Sequence, residues 1–271
     1  LVRLHESLCR QTSDDFEWLI IDDGSTDNTE DIVRPWLKEQ KFPIRYIKKE
    51  NGGLHTGYTT AIANMDTELN VCIDSDDYMP EIIVSTWKKK CRGKNLAGIV
   101  GLDYRLDGTA NGGEFTKEGV FHFHEIAEFH TGDDKKVCRT DLLKELSPMP
   151  VFKGEKNFNP IYYYLQIDAK YKFFVINKNL CFVDYQDDGM SANLYRQFKN
   201  SPHSFAQLRR LYMSMTYFTW IKHFRNAMHY VSSCIFGHEW DMLFTSPRPF
   251  ITFLAIPGGL ILNIYIRYKA R

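Results

Sequence analysis

The chain has 271 residues, 44% of them hydrophobic and 14% aromatic, enough for a sizeable core in one large domain or two small ones. Its 34 Lys and Arg residues balance 34 Asp and Glu residues, and a formal charge of zero leaves no basic field to attract nucleic acid. Six cysteines (Cys9, Cys72, Cys91, Cys138, Cys181 and Cys234) lie far apart, with no C-x-x-C pair and no Cys/His cluster at zinc-ligand spacing, as expected for reduced thiols in a cytosolic chain.

The opening Leu1-Val2-Arg3-Leu4-His5-Glu6 is polar and amphipathic, unlike a secretory leader, and reads as the middle of an element, so residues are expected ahead of Leu1. Leu1, Leu4 and Leu8 recur at helical spacing, which predicts an amphipathic helix over 1–11. Trp18-Leu19-Ile20-Ile21 reads as a buried strand running into Asp22-Asp23-Gly24-Ser25-Thr26-Asp27. A helix follows over 28–40, with Asp27 and Glu30 in capping-box positions. Residues 44–47 form a second strand, which leads to Asn51-Gly52-Gly53 and a helix over 54–65. Leu69-Asn70-Val71-Cys72-Ile73 is a third strand, ending in Asp74-Ser75-Asp76-Asp77. Helix is predicted over 80–90, strand over 96–102, and a polar loop over 103–119. Phe121-His122-Phe123-His124-Glu125-Ile126 alternates like a half-exposed strand. A short helix over 141–146 is broken by Ser147-Pro148-Met149-Pro150, and a tyrosine-rich helix over 160–169 precedes a strand or hairpin within 171–183. Beyond about residue 193 the chain turns to aromatic, basic helical stretches over 205–236 and 249–268.

Strands alternating with helices at this pitch argue for βαβ units and an α/β fold, whose ligands collect at the carboxyl ends of the strands. The expected division is a catalytic α/β domain over 1–192 and a helical region over 193–271. Both acidic clusters and the Asn-Gly-Gly loop fall at strand ends and are expected to face one crevice. Clustered carboxylates in a partly dry cleft raise each other's pKa unless a cation or hydrogen-bond donors lie among them. A divalent cation carrying a phosphorylated ligand meets that need.

The three motifs, Asp22 to Asp27, Asn51-Gly52-Gly53 and Asp74-Ser75-Asp76-Asp77, in that order and spacing, resemble the family 2 inverting glycosyltransferases of the GT-A fold. The likeness covers about the first 100 residues and is specific because three motifs coincide. It implies a GT-A (Rossmann-like), mostly parallel central sheet flanked by helices, with a C-terminal helical extension. It further implies a nucleotide-diphosphate sugar donor, UDP-sugar favoured, a glycan or lipid-linked acceptor in cell-surface polysaccharide synthesis, and Mg²⁺ or Mn²⁺. Asp22 and Asp23 are then expected at the base and ribose. Asn51, Gly52 and Gly53 bring backbone and a helix N-terminus to phosphate, Asp76 ligates the metal, and Asp74 reaches ribose or metal. Plainer readings stand beside these: Asp-Gly-Ser-Thr-Asp is ordinary turn and cap chemistry, Asn-Gly-Gly a plain loop, and Asp77 a helix cap.

An inverting displacement also needs a base for the acceptor hydroxyl. Gly154-Glu155-Lys156, after the Pro-rich break and before a helix, is the positional match to the family's acidic motif but departs from it at Lys156, where a second acid is usual. The resemblance makes Glu155 the candidate base, with Asp133, Asp134 and Asp168 as rivals and an exposed loop charge as the plainer reading. The acidic loop from Asp184 to Ser191 looks like a segment of bacterial polysaccharide-assembly members, or is an exposed turn. His122 and His124 lack a third ligand and read as surface or packing. The family's first strand, with its base-stacking element, has no counterpart after Leu1. Two rival readings are a nucleotidyltransferase-like enzyme, which would carry an early Gly-rich phosphate loop, and a non-catalytic nucleotide-sugar-binding scaffold. The apolar segment 250–266 is interrupted by Pro257-Gly258-Gly259 and flanked by Arg248, Arg267, Lys269 and Arg271. Peripheral or re-entrant contact with the inner face of the cell membrane is expected ahead of a full span, with a pair of soluble core helices as the alternative.

Overall fold

The computed structural model of the protein describes residues 1–39, 41–81, 95–184 and 193–271. All but the first two residues of the helix predicted over 80–90, and all but the first residue of the acidic loop 184–191, lie outside the described residues. Contacts divide the chain into two compact units. The first comprises Leu1–Asn51, Thr59–Pro148 and Tyr163–Tyr185, and the second Gly52–Tyr58, Met149–Tyr162 and Gln186–Arg271. The second unit therefore holds two segments, 52–58 and 149–162, that sequence order alone assigns to the catalytic domain.

In the first unit, helix α1 (Val2–Cys9) buries Leu4 and Leu8 with Phe42. Strand β1 (Trp18–Asp22) is covered by helix α2 (Thr29–Trp36) through Ile20, Val33 and Trp36. The predicted capping box does not form. Asp27 Oδ1 accepts from the Thr29 N–H at 3.0 Å and the Thr29 hydroxyl at 2.6 Å, while Glu30 turns to Lys48 Nζ at 3.1 Å. Strand β2 (Ile44–Lys48) pairs in parallel with β1, from Trp18↔Ile44 to Asp22↔Lys48. Helix α3 (Leu54–Asn64) starts in the second unit and ends in the first, and leads to β3 (Leu69–Val71).

Five strands form the other sheet of this unit. Next in chain order come β4 (Leu96–Arg105), β5 (Gly119–Phe121), the single helical turn α4 (Phe123–Ile126) and β6 (Asp134–Arg139). Helices α5 (Thr140–Leu146) and α6 (Ile161–Asp168) and strand β7 (Lys172–Val183) follow. The strand order is β3-β6-β4-β7-β5, with β4·β7 parallel and the other three pairs antiparallel. The α/β architecture is the expected one, but strand pairing within it is mixed. Leu96, Ile99, Val137, Ile176 and Leu180 form a core on this sheet. Strand β6 escapes sequence patterning because only Val137 and Cys138 are apolar in it, although it is an interior strand. The expected strand over 121–126 divides after Phe121. There the Glu125 Oε2 atom accepts the His122 N–H at 2.7 Å and starts a helical turn.

The second unit is helical. Helices α7 (Leu194–Asn200) and α8 (Pro202–Ser214) are followed by α9 (Trp220–Gly237), α10 (Met242–Thr245) and α11 (Pro249–Lys269). The Thr219 side chain caps α9 by accepting from the Lys222 N–H. Pro257-Gly258-Gly259 does not interrupt the last segment, and α11 is one helix of 21 residues. Packing supplies the reason. Ile251, Thr252, Ala255, Gly259, Asn263 and Ile266 make one buried stripe. A Cβ on Gly259 would lie 2.5 Å from Val231 Cγ1, so the glycine admits α9 at close range, while Pro257 sits on the exposed face. Asn263 Nδ2 donates to the Ser232 carbonyl at 3.0 Å and closes the α9–α11 contact.

Candidate functional site

Asp22 ends β1 and is buried, 4% exposed. Its Oδ1 accepts from the Ser25 N–H at 2.6 Å, and its Oδ2 accepts the Tyr46 hydroxyl. Burial pushes its carboxyl up, but the hydrogen bonds from Tyr46 and Ser25 outweigh this and hold it below the ordinary 3.8. Asp22 is thus the post around which the loop turns. Asp23 forms an ion pair with Lys49, and its carbonyl accepts from Asn51 Nδ2 at 2.7 Å. Asp23, Gly24, Ser25, Thr26, Asp27 and Asn51 line an open cavity of about 440 Å³. Two sequence motifs 28 residues apart meet there, and carboxylate, amide and hydroxyl groups together can hydrogen-bond a polar base or sugar.

The second acidic cluster divides by direction. Asp74 is exposed, Asp76 half-buried and Asp77 buried. Among the described residues no hydrogen bond or ion pair engages the Asp74 or Asp76 carboxylate. Arg3 supports the loop by donating from Nη2 to the Asp76 carbonyl at 3.1 Å and pairing with Asp184 at 2.5 Å. Two open carboxylates on alternate residues form a hard-oxygen donor set, which fits Mg²⁺ or Mn²⁺. Asp77 faces inward instead. Its Oδ1 accepts from the Asp184 N–H at 3.2 Å and its Oδ2 lies 3.6 Å from Lys135 Nζ, which is 3.8 Å from Asp103. Burial pushes the Asp103 carboxyl up to about 7 despite Lys135, and raises Asp77 as well. Burial alone would lower Lys135, but the surrounding Cys181, Asp103, Asp74 and Asp77 raise it and keep it cationic.

Gly52 and Gly53 belong to the second unit. Gly53 has φ +90°, and a Cβ there would come within 2.1 Å of the Lys156 carbonyl oxygen. That carbonyl accepts from the Leu54 N–H at 3.0 Å. The close backbone approach that a glycine permits is therefore made to the protein's own 154–157 loop.

Glu155 is 6% exposed and fully engaged. Its Oε1 accepts from the His203 N–H at 2.8 Å and from His203 Nδ1 at 2.6 Å. Its Oε2 accepts from the Ser204 N–H at 2.8 Å and the Ser204 hydroxyl at 2.6 Å. A carboxylate offers about four lone-pair sites, and here the start of α8 fills all of them. Both oxygens of Glu155, the expected base, are therefore hydrogen-bonded to the start of α8, which the side chain anchors. Of the rival acids, Asp134 pairs with Lys136 at 2.6 Å, Asp133 lies 3.5 Å from Asn111 Nδ2, and Asp168 is buried beneath His122 and His124. Tyr46, Lys49 and Lys135 carried no motif in the sequence, since each acts through a partner brought up by folding.

Residues 1–90 match the family model described as glycosyl transferase family 2. The chain is 30% identical over 123 residues to the glycosyltransferase GlyA of Streptococcus pneumoniae, across 45% of this chain and 16% of that protein. It is 28% identical over 211 residues to hyaluronan synthase of Pasteurella multocida, across 66% of this chain and 21% of that one. The chain thus spans a minor part of either relative's length. The crystal structure of S. aureus TarS 1-349 in complex with UDP-GlcNAc shares the fold, with a TM-score of 0.63 at 16% identity, over 99% of this chain and 84% of that one.

Proposed function

We propose that this chain, a member of glycosyl transferase family 2 through residues 1–90, moves a sugar from a nucleotide-diphosphate donor to a glycan or lipid-linked acceptor of the cell surface, by inverting displacement. The observation that carries this reading is the pair of open carboxylates, Asp74 and Asp76, after β3, in the unit that also holds the Asp23–Asn51 cavity. A UDP-sugar is the favoured donor, since the similar TarS structure holds UDP-GlcNAc. In this reading Asp23 and Asn51 hydrogen-bond the nucleoside, Asp22 holds their loop, and Asp74 and Asp76 hold Mg²⁺ or Mn²⁺. When bound there, such an ion supplies Lewis-acid stabilisation of the departing diphosphate. Lys135 and Arg3 keep the loop bearing these carboxylates in place, and Glu155 fixes the start of α8.

The exposed face of α11, including Phe250, Phe253, Ile261, Ile264 and Tyr268, lies opposite its buried stripe. The helix is long and apolar enough to cross a membrane by length and composition. With one face packed on α9 and with Arg267, Lys269 and Arg271 at its end, we assign it to the cytoplasmic membrane surface, lying in the interface. Such placement suits a lipid-linked acceptor.

A second reading, a nucleotide-sugar-binding protein without transferase activity, is favoured by one observation: the saturation of Glu155. Isothermal titration with UDP, with and without Mn²⁺, followed by UDP-sugar turnover, separates the two. Binding that strengthens with Mn²⁺, accompanied by turnover, is the outcome expected of the enzyme. Binding without turnover selects the scaffold, and absence of UDP binding overturns both.

A further inference from the structure

We propose that His122, His124 and Asp168 form a binding site for a divalent transition-metal ion of the Zn²⁺ type, separate in residues and in ligand chemistry from Asp74 and Asp76. Sequence order leaves the two histidines without a third ligand. Folding supplies it: the chain turns into α4 at His122, and Asp168, the last residue of α6, meets both imidazoles. The ligating atoms of the three side chains lie within 4.8 Å of one another. His124 Nδ1 is 2.6 Å from Asp168 Oδ2, and His122 Nδ1 is 3.2 Å from Asp168 Oδ1. Bonds of about 2.0–2.2 Å in a tetrahedral zinc site set neighbouring donors about 3.3 Å apart, so a small opening of this cluster admits the ion.

Asp168 also meets four donors, two backbone N–H groups and the two imidazoles. The ion would take the place of the two imidazole–carboxylate contacts and leave the backbone ones, which hold the carboxylate in orientation. Asp168 Oδ1 accepts from the Phe123 N–H at 2.5 Å and Oδ2 from the His124 N–H at 3.3 Å. His122 Nδ1 also lies 3.1 Å from the Asp168 carbonyl, and Glu125 holds the His122 backbone. The Asp168 side chain is fully buried, whereas that of His122 is 33% exposed, which leaves a route for the ion and room for a water ligand. A bound dication would offset the charge of the buried carboxylate directly. Two imidazole nitrogens and one carboxylate suit Zn²⁺, Co²⁺, Ni²⁺ or Cu²⁺ better than Mg²⁺ or Mn²⁺, so the site discriminates against the ions proposed for Asp74 and Asp76.

The other such grouping among the described residues, His5, Cys9 and Glu39, is built differently. The His5 ring stacks on Trp36 with centroids 4.2 Å apart and planes 7° from parallel, a contact that explains its burial.

The test is Co²⁺ titration followed by absorption, and Zn²⁺ titration by calorimetry, on chelator-treated protein in millimolar Mg²⁺. The expected result is one Co²⁺ bound with d–d bands of nitrogen and oxygen ligation and no thiolate charge-transfer band. Affinity drops about tenfold or more in His122→Ala and in His124→Ala and is unchanged in Asp76→Asn and Cys9→Ala. Asp168→Asn removes a tie on α4 and risks misfolding, so the histidine variants carry the test, with circular dichroism confirming their fold. Unchanged stoichiometry and affinity in the double histidine variant overturns the proposal. So does failure to bind either ion, or a thiolate band that vanishes in Cys9→Ala.

Discussion

Asp74 and Asp76, on one side, and Glu155, on the other, are acidic residues in motifs of the same resemblance, yet their surroundings are opposite. The two aspartates after β3 have carboxylates that no described residue meets in a hydrogen bond or ion pair. Glu155 receives four donors and is almost completely buried. A carboxylate open to solvent can exchange its water for a cation at little cost, whereas one whose lone pairs are filled by backbone and side-chain donors must first give some of them up.

That contrast is open to direct attack. The largest expected effect is on catalysis by Asp76→Asn: a loss of about 100-fold or more in kcat/KM for a UDP-sugar, from several kcal/mol of lost charge stabilisation. Its unfolding free energy should stay within about 0.5 kcal/mol of the parent, because no partner is orphaned. Turnover assays and urea denaturation check the two halves together. A stability loss matching the activity loss would erase the contrast.

Glu155→Ala is expected to do the reverse, lowering stability by about 3 kcal/mol as the donors at the start of α8 lose their acceptor. Glu155→Gln keeps part of that acceptor capacity and sharpens the point. An anchoring residue gives a partial loss of stability, with activity following the folded fraction. A base would give an intact fold and a loss of kcat that no folded fraction explains.

A smaller effect tests the buried charges beneath the open pair. Asp103 titrates near 7 in the fold against 3.8 ordinarily, so the folded protein binds a proton that the unfolded chain has released. Its contribution is complete below about 3.8 and is lost as pH rises through about 7. Thermal melts should therefore show the parent losing stability between pH 5 and about pH 8, and Asp103→Asn flattening that slope. Lys135 moderates the size, since its cation offsets part of the carboxylate's burial.

Strand ends such as Ile20-Ile21-Asp22 and Val71 to Asp76 were legible because an apolar run closed by acids is a local pattern. The helices over 54–64 and 161–168 were legible for the same reason. Strand β6 was not, because Lys135 is tolerated inside a sheet only through Asp77 and Asp103, which lie 58 and 32 positions away (135 − 77 and 135 − 103). The helical turn at His122 was hidden because alternation of Phe and His mimics a strand, while Asp168, 46 residues on, holds the turn. The continuity of α11 through Pro257-Gly258-Gly259 was also hidden, since only Val231 and Met228 on α9 reveal glycine as a packing residue there.

By itself, the sequence determined the α/β class, the order of the acidic strand ends and the family resemblance of the first third, because these rest on periodicity and short motifs. Tertiary structure alone decided which acids are open and which are spent. The donors that fill Glu155 come from 48 and 49 residues away, and the amide that meets Asp23 from 28. Hydrogen bonds are short-ranged in space and unconstrained in sequence, so no local pattern reports whether a carboxylate has already been satisfied.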